Sequence, residues 1–412
     1  MSATIKHIDI KGVQIPVIFE EQKALPILNL QLVFQNSGYI QDKNKSGLVS
    51  LSSKLLNEGT NELGATKFAE KLEENAISLA ASNGFETFVI ELSNLKEQSK
   101  KGIELLTALL KSPNYTQDTL NKLKTMQTGS LKRKENDFDY VANNQLKSVL
   151  FKGTTLENSA AGTIESISKI ELKDIENFIS QTVCLENLII VAGGDFELKE
   201  FEKLVKPLLE TLNVGKKAQL EEVNFISKKE EKVLIKDTQQ AYIYFGSSFN
   251  INSKDEENYK AKVASFILGG SGFGSRLMEE IRVKRGLAYS AYGSISINKS
   301  HSYFNGYLQT KNETADEAKK LVGEIIEDFV KNGVTNDELS AAKNFLTGSE
   351  PLRSETLSQR LNRAFTLYYR GLEPNYSQKE LEKIQNLELT DLNNYIKSHN
   401  EINNLTFSIV RK

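Results

Sequence analysis

The chain predicts an α+β fold made of two homologous domains, each a sheet covered by helices. Three observations carry this expectation: alternating apolar residues that read as strands, three-and-four apolar periodicity between them, and a set of landmarks that occurs twice in the same order. Runs of strands separated by helix pairs give antiparallel or mixed sheets with helices packed on them. A length of 412 residues with 39% hydrophobic composition is enough for two cores.

The N-terminal stretch alternates, with Ile5, Ile8, Ile10, Val13, Ile15, Val17 and Phe19 at strand spacing, and Ile15–Phe19 and Leu28–Phe34 read as strands. Next, Leu48, Leu51, Leu55 and Leu56 mark a helix over 47–57, and Phe85–Leu92 alternates again. A helical stretch at Thr116–Met126 leads into Thr128-Gly129-Ser130, and Ile170-Glu171-Leu172-Lys173-Asp174 precedes a closing strand at Asn187–Val191. The second half repeats the plan: a strand at Ala241–Phe245, a helix near Tyr259–Leu268, a strand at Tyr303–Thr310 and a helix at Thr335–Phe345. Thr347-Gly348-Ser349, Leu387-Glu388-Leu389-Thr390-Asp391 and the strand Asn404–Ser408 then match the first-half landmarks in order. The expected domains are 1–213 and 233–412, joined by the polar linker 214–232.

Charge excludes some partners. Lys plus Arg number 52 against 54 Asp plus Glu, so no net field draws the chain to nucleic acid or an anionic bilayer. No apolar run approaches the ~20 residues that span a membrane. The residues from Met1 to Glu20 lack the continuous apolar core of a signal peptide, giving a cytoplasmic expectation, or a periplasmic or secreted one if a leader was removed. A single cysteine, Cys184, forms no disulfide within the chain.

The 47–57 helix has the frame of a zinc-peptidase helix without the ligands. Its apolar face is Leu48, Leu51, Leu55 and Leu56; Ser50, Ser53 and Lys54 share the opposite face. In an inverted zinc motif, His-x-x-Glu-His, two imidazoles and a general-base carboxylate occupy those three places. Hydroxyls are poor zinc ligands, and an ammonium has no lone pair and repels a dication. The only histidines, His7, His301 and His399, are scattered, and none pairs with another or with Cys184 at ligand spacing. No metal is expected in this chain, and no catalytic residue in this chain alone.

Taken together, the Gly47–Thr60 frame, Gly333-Val334-Thr335-Asn336-Asp337-Glu338-Leu339, the repeated halves and Gly274-Ser275-Arg276-Leu277 followed by Arg282-Val283-Lys284-Arg285-Gly286-Leu287-Ala288-Tyr289 resemble the pitrilysin and mitochondrial processing peptidase family, particularly its two-domain bacterial members. The resemblance covers nearly the whole chain and implies a half-clamshell subunit. It places the family's zinc site at Ser50, Ser53, Lys54 and, for the third ligand, Ser130, with Glu135 close by. It also implies that Arg282 and Tyr289, seven residues apart, correspond to the family's pair that grips the substrate backbone near the scissile bond. A guanidinium and a phenol both donate hydrogen bonds to a peptide carbonyl. Spacing alone makes Arg282 a surface helix residue and Tyr289 a half-buried strand residue.

The resemblance further implies a division of labour: a homologous, zinc-motif-bearing partner supplies zinc and general base, and this chain supplies Arg282 and Tyr289 to bind extended peptide substrates, which add as strands to a sheet edge. A homodimer of the isolated chain fits the same fold. The alternative is a structural or peptide-binding scaffold with no proteolytic role, and autonomous peptidase activity would need a metal that the ligand count denies. The Gly269–Gly274 run is a poor dinucleotide fingerprint, because a helix precedes it where a strand is required. It is expected to be a mobile turn into a helix over Ser275–Lys284.

Overall fold

The computed structural model describes residues 3–225 and 227–412. Its strands are β1 (Thr4–Ile10), β2 (Val13–Glu21), β3 (Ile27–Gln35), β4 (Ser78–Asn83), β5 (Thr87–Leu95), β6 (Leu188–Gly194), β7 (Glu231–Ile235), β8 (Gln240–Ser248), β9 (Ala288–Ile297), β10 (Ser302–Lys311) and β11 (Thr406–Arg411). The first-half helices are α1 (Leu48–Leu56), α2 (Gly64–Glu73), α3 (Ser99–Lys111), α4 (Gln117–Lys134), α5 (Phe138–Leu150), α6 (Ile164–Lys169), α7 (Leu172–Thr182) and α8 (Leu198–Leu209). The second half contributes α9 (Asn258–Ser265), α10 (Arg276–Met278), α11 (Ala315–Asn332), α12 (Asn336–Gly348), α13 (Leu357–Arg370), α14 (Tyr376–Gln385) and α15 (Leu389–Ser398). This is the expected mixture of two sheets and many helices. Among the described residues no helix is long and apolar enough to cross a membrane.

The chain separates into two compact units, each drawing one segment from the other half of the sequence. The first comprises Met1–Lys132, Asn158–Leu220 and Leu352–Tyr369; the second comprises Arg133–Glu157, Glu221–Pro351 and Arg370–Lys412.

In the first unit six strands run in the order β1-β2-β6-β3-β5-β4, antiparallel except for the parallel β2–β6 pair. Alternation sends Val17, Phe19, Leu30, Leu32, Phe34 and Ile90 into a core with Leu51 and Leu55 of α1, Leu106 of α3, Phe178 of α7 and Phe201 of α8. The other face of the same strands presents Ile18, Val33, Ile189 and Val191, which Leu357 and Leu361 of α13 cover. That double burial explains why all seven residues of β6 are buried. Arg360 of α13 pairs with the buried carboxylate of Glu20 at 2.7 Å.

In the second unit the order is β7-β11-β8-β10-β9, with β7 and β11 parallel. Ile243, Phe245, Phe304 and Leu308 pack against Ile326 and Phe329 of α11 and against Leu392 and Ile396 of α15. Here α5 takes the part of α13. Asp139 accepts hydrogen bonds from the Tyr244 hydroxyl at 3.3 Å and Gln309 Nε2 at 2.7 Å, and Gln145 Oε1 accepts one from Ser408 at 2.9 Å.

Three local expectations shift. The strand expected from Phe85 begins at Thr87, because Gly84 N–H bonds to the Thr87 carbonyl and turns the hairpin there. The repeated Thr-Gly-Ser triplets fall in different contexts: α4 continues past Ser130 to Lys134, whereas α12 stops at Gly348, just before Pro351 removes a backbone donor. The Gly269–Gly274 run does not begin as a turn, since Phe266–Gly270 continues α9 as a π-helical segment.

Candidate functional site

α1 starts where the sequence allows only a special backbone. Gly47 has φ +92°, and a Cβ there would sit 2.6 Å from Ile167 Cδ1 and 3.1 Å from the Ala161 carbonyl. The carboxylate of Asp42 caps the helix, accepting from Gly47 N at 2.8 Å and Val49 N at 2.9 Å. Asp42 is only 5% exposed, and burial pushes its pKa up to about 7 against the downward pull of those two backbone donors.

Leu51, Leu55 and Leu56 are fully buried, as their spacing predicts. Of the opposite face, Ser50 is half-buried, Lys54 is exposed, and Ser53 is buried because its hydroxyl donates to Asn83 Oδ1 of β4 and to the Ser50 carbonyl, both at 3.0 Å. The Lys54 ammonium donates to Gln127 Oε1 of α4, and Gln127 Nε2 donates in turn to the Ala161 carbonyl at 2.9 Å. Ser130 stands one turn farther along α4 and is half-buried; Glu135 lies beyond the end of α4, exposed, in the segment that belongs to the second unit.

This cluster does not fit zinc. Its polar side chains are three hydroxyls (Ser50, Ser53 and Ser130), an ammonium (Lys54) and two carboxamides (Asn83 and Gln127), none of them a good zinc ligand, and the ammonium repels a dication. Among the described residues no group of three or more His, Cys, Asp or Glu side chains is placed to hold a metal ion. Gln127 is the residue the sequence reasoning missed. Ranking positions by ligand spacing leads to Ser130, while helix packing brings the residue one turn earlier onto Lys54.

The second constellation is in the other unit. After Ser275 caps α10, Glu279–Val283 forms a π-helical segment ending at Arg282 and Val283. Gly286, at φ +62°, then turns the chain, with its N–H on the Arg282 carbonyl and Leu287 N–H on the Ile281 carbonyl, both at 2.9 Å. The reversal returns Tyr289, the second residue of β9, to Arg282. The guanidinium carbon lies 4.8 Å from the centroid of the Tyr289 ring and 4.8 Å from that of Phe273, so two aromatic rings hold one cation. Phe273 stands between Gly272 and Gly274, both at positive φ, a signal in the sequence that an aromatic is being held out from the backbone. Tyr289 is 78% exposed and Phe273 70%, so Tyr289 is not the half-buried strand residue its alternation suggests. A register shift between Leu308 and Thr310 opposite this stretch puts Ala288 and Ala291 in the core and Tyr289 outside. Among the described residues no carboxylate pairs with Arg282, whereas Arg285 and Lys284 both bind Glu280 at 2.6 Å.

Comparison with known proteins identifies the family and the fold. Residues 169–346 match the family model described as the peptidase M16 inactive domain. The non-peptidase homolog YmxG of Helicobacter pylori is 45% identical over 409 residues, covering 99% of this chain and 94% of that protein. The chain belongs to the M16 (pitrilysin-like) peptidase family. Its fold is also that of the M16 inactive domain protein from Pseudomonas fluorescens, with a TM-score of 0.91, 22% identity, and 99% and 98% of the two chains covered. The periplasmic protease PqqL from Escherichia coli aligns with a TM-score of 0.78 and 12% identity over 99% of this chain but 47% of its own length. This M16 member therefore has about the length of half that structure, and the residues at the four positions to which the resemblance assigns a zinc site, Ser50, Ser53, Lys54 and Ser130, are not zinc-ligand types.

Proposed function

We propose that this chain is the non-catalytic, substrate-binding subunit of a zinc-dependent endopeptidase heterodimer, in which a homologous partner carries the zinc and this chain supplies Arg282 and Tyr289. The observation that carries the reading is the Arg282 guanidinium held between two exposed rings with no carboxylate among the described residues paired to it, in a chain where the resemblance puts serines and a lysine at the metal positions. A structural arginine is usually paired with an acid; this one keeps its donors for something else. Offered a peptide, the guanidinium and the Tyr289 hydroxyl both donate to a backbone carbonyl, and a carbonyl that becomes an oxyanion during hydrolysis accepts those bonds more strongly. The name of the Helicobacter pylori relative, a non-peptidase homolog, supports the non-catalytic half of the reading, and the alignment over 47% of PqqL supports a subunit that completes itself with a second half.

The test is reconstitution. This chain, purified with a zinc-motif-bearing homologue from the same cell, is expected to cleave a fluorogenic peptide only in the mixture, with loss of cleavage on chelation and in Arg282→Ala. A correctly assembled complex that cleaves equally well with Arg282→Ala overturns the proposal.

A further inference from the structure

β4 is an edge strand of the first unit, paired among the described residues with β5 alone. In an antiparallel pair alternate residues turn their N–H and C=O groups away from the neighbour, so an edge strand displays a row of unpaired backbone groups that a further strand can use. Ala81 is such a residue, and its groups are already taken. The side chain of Asn57, the C-cap of α1, accepts from Ala81 N–H at 2.6 Å through Oδ1 and donates to the Ala81 carbonyl at 2.9 Å through Nδ2. A carboxamide is the chemical equivalent of a peptide unit. One side chain thus makes both bonds that the facing residue of an added antiparallel strand would make. The same helix is tied to the strand again where Ser53 meets Asn83, so the polar face of α1 runs along the β4 edge.

The second unit shows what partial coverage looks like. There Ser265, the last residue of α9, accepts only the N–H of Ile295 on the edge strand β9, at 3.0 Å. Ala81 is covered on both its donor and its acceptor. We propose that Asn57 is a built-in surrogate for a peptide: it occupies the centre of the β4 edge, and an extended peptide segment adds to this edge by displacing the Asn57 carboxamide. The occupant is committed by the surrogate itself, since what the edge holds in the absence of a ligand is an amide in strand-like register. This inference rests on the reading of the chain as a peptide-binding subunit that takes peptide at a sheet edge, and adds what the peptide must displace there.

The experiment uses the full chain and a fluorescein-labelled peptide of alternating valine and threonine flanked by lysines, followed by fluorescence anisotropy. Asn57→Ala is expected to bind about tenfold more tightly than wild type, since two modest hydrogen bonds no longer have to be given up. Asn57→Asp, which keeps the acceptor and loses the donor, is expected to fall between. Hydrogen exchange supplies the readout that does not depend on affinity. The Ala81 amide is expected to be protected in the free wild type, to exchange faster in free Asn57→Ala, and to be protected again in both when peptide is bound. Unchanged or weaker binding by Asn57→Ala at an unchanged melting temperature overturns the surrogate role, as does an Ala81 amide that stays unprotected with peptide bound. If Arg282→Ala weakens the peptide while Asn57→Ala does nothing, only the surrogate fails. If neither wild type nor any variant binds peptide, the peptide-binding reading fails and the surrogate with it.

Discussion

Asp42 gives the clearest quantitative prediction because its environment pulls in two directions. It caps α1 through two backbone donors, which favour the carboxylate, yet it is buried, which favours the neutral acid, and burial dominates to bring its pKa from 3.8 to about 7. The folded chain therefore holds a proton at Asp42 that the unfolded chain has already lost between these values. Stability contributed by this group is full below the unfolded pKa, declines as pH rises from 3.8 towards 7, and levels off above. A difference of about three pKa units corresponds to about 4 kcal/mol over that window. The perturbation is Asp42→Asn, which keeps one acceptor for the helix N-terminus and does not titrate. Urea unfolding of wild type and variant at closely spaced pH values between 4 and 8 isolates the group as the difference between the two curves. The variant is expected to lose stability against wild type at pH 4, and the gap to narrow or reverse by pH 8. A difference that is flat with pH, or that grows in favour of wild type as pH rises, refutes the assignment of burial as the dominant cause.

Four further outcomes follow from the structure. With the zinc-bearing partner present, Arg282→Ala is expected to lower kcat/KM by about 100-fold or more, the range for removing a transition-state donor. Phe273→Ala, which removes only one face of the cation's support, is expected to cost about 2–5-fold. Equal losses from the two would show that the rings, and not the guanidinium, do the binding. Arg360→Ala leaves Glu20 buried at 3% exposure without its cation and is expected to cost about 3–5 kcal/mol in denaturant unfolding, with Glu20→Gln in the same background restoring part of it. Gly269→Ala would place a Cβ 2.5 Å from the Gly293 nitrogen and 2.7 Å from its carbonyl oxygen, and is expected to lower stability by about 1–3 kcal/mol, visible as a reduced melting temperature.

Much of the architecture is legible in the residues because it depends on local pattern. Leu51, Leu55 and Leu56 announce α1, and the Ile170–Asp174 and Leu387–Asp391 landmarks mark the entries to α7 and α15, where Glu171 and Glu388 occupy the N-cap positions. What pattern does not carry is which element meets which. Ser53 looks like a solvent-facing serine until Asn83 closes over it, and the partner of Lys54 is selected by how α4 packs, which no count along the chain contains. The π-helical segments at Phe266–Gly270 and Glu279–Val283 insert a residue into a turn; Gly269 and Gly270 weaken helix propensity in the first, but a glycine pair does not specify a π turn, and nothing in Glu279–Val283 marks the second. α5 and α13 read as ordinary amphipathic helices, and periodicity is silent about which sheet they cover.

The exchange of α5 and α13 between the units has a consequence for synthesis. The first unit has Ile18, Val33, Ile189 and Val191 on the sheet face that α13 covers, and the segment that brings it is Leu352–Tyr369. At about 5–20 residues per second, the ribosome takes roughly 7–30 s to pass from Leu220 to Tyr369, and for that interval one face of the sheet has nothing to lie against it. A nascent chain of this kind does not finish its first unit and then begin the second. Both units close late and close together, so a stop codon or proteolytic cut between Leu220 and Leu352 leaves a sticky fragment and not a smaller working protein.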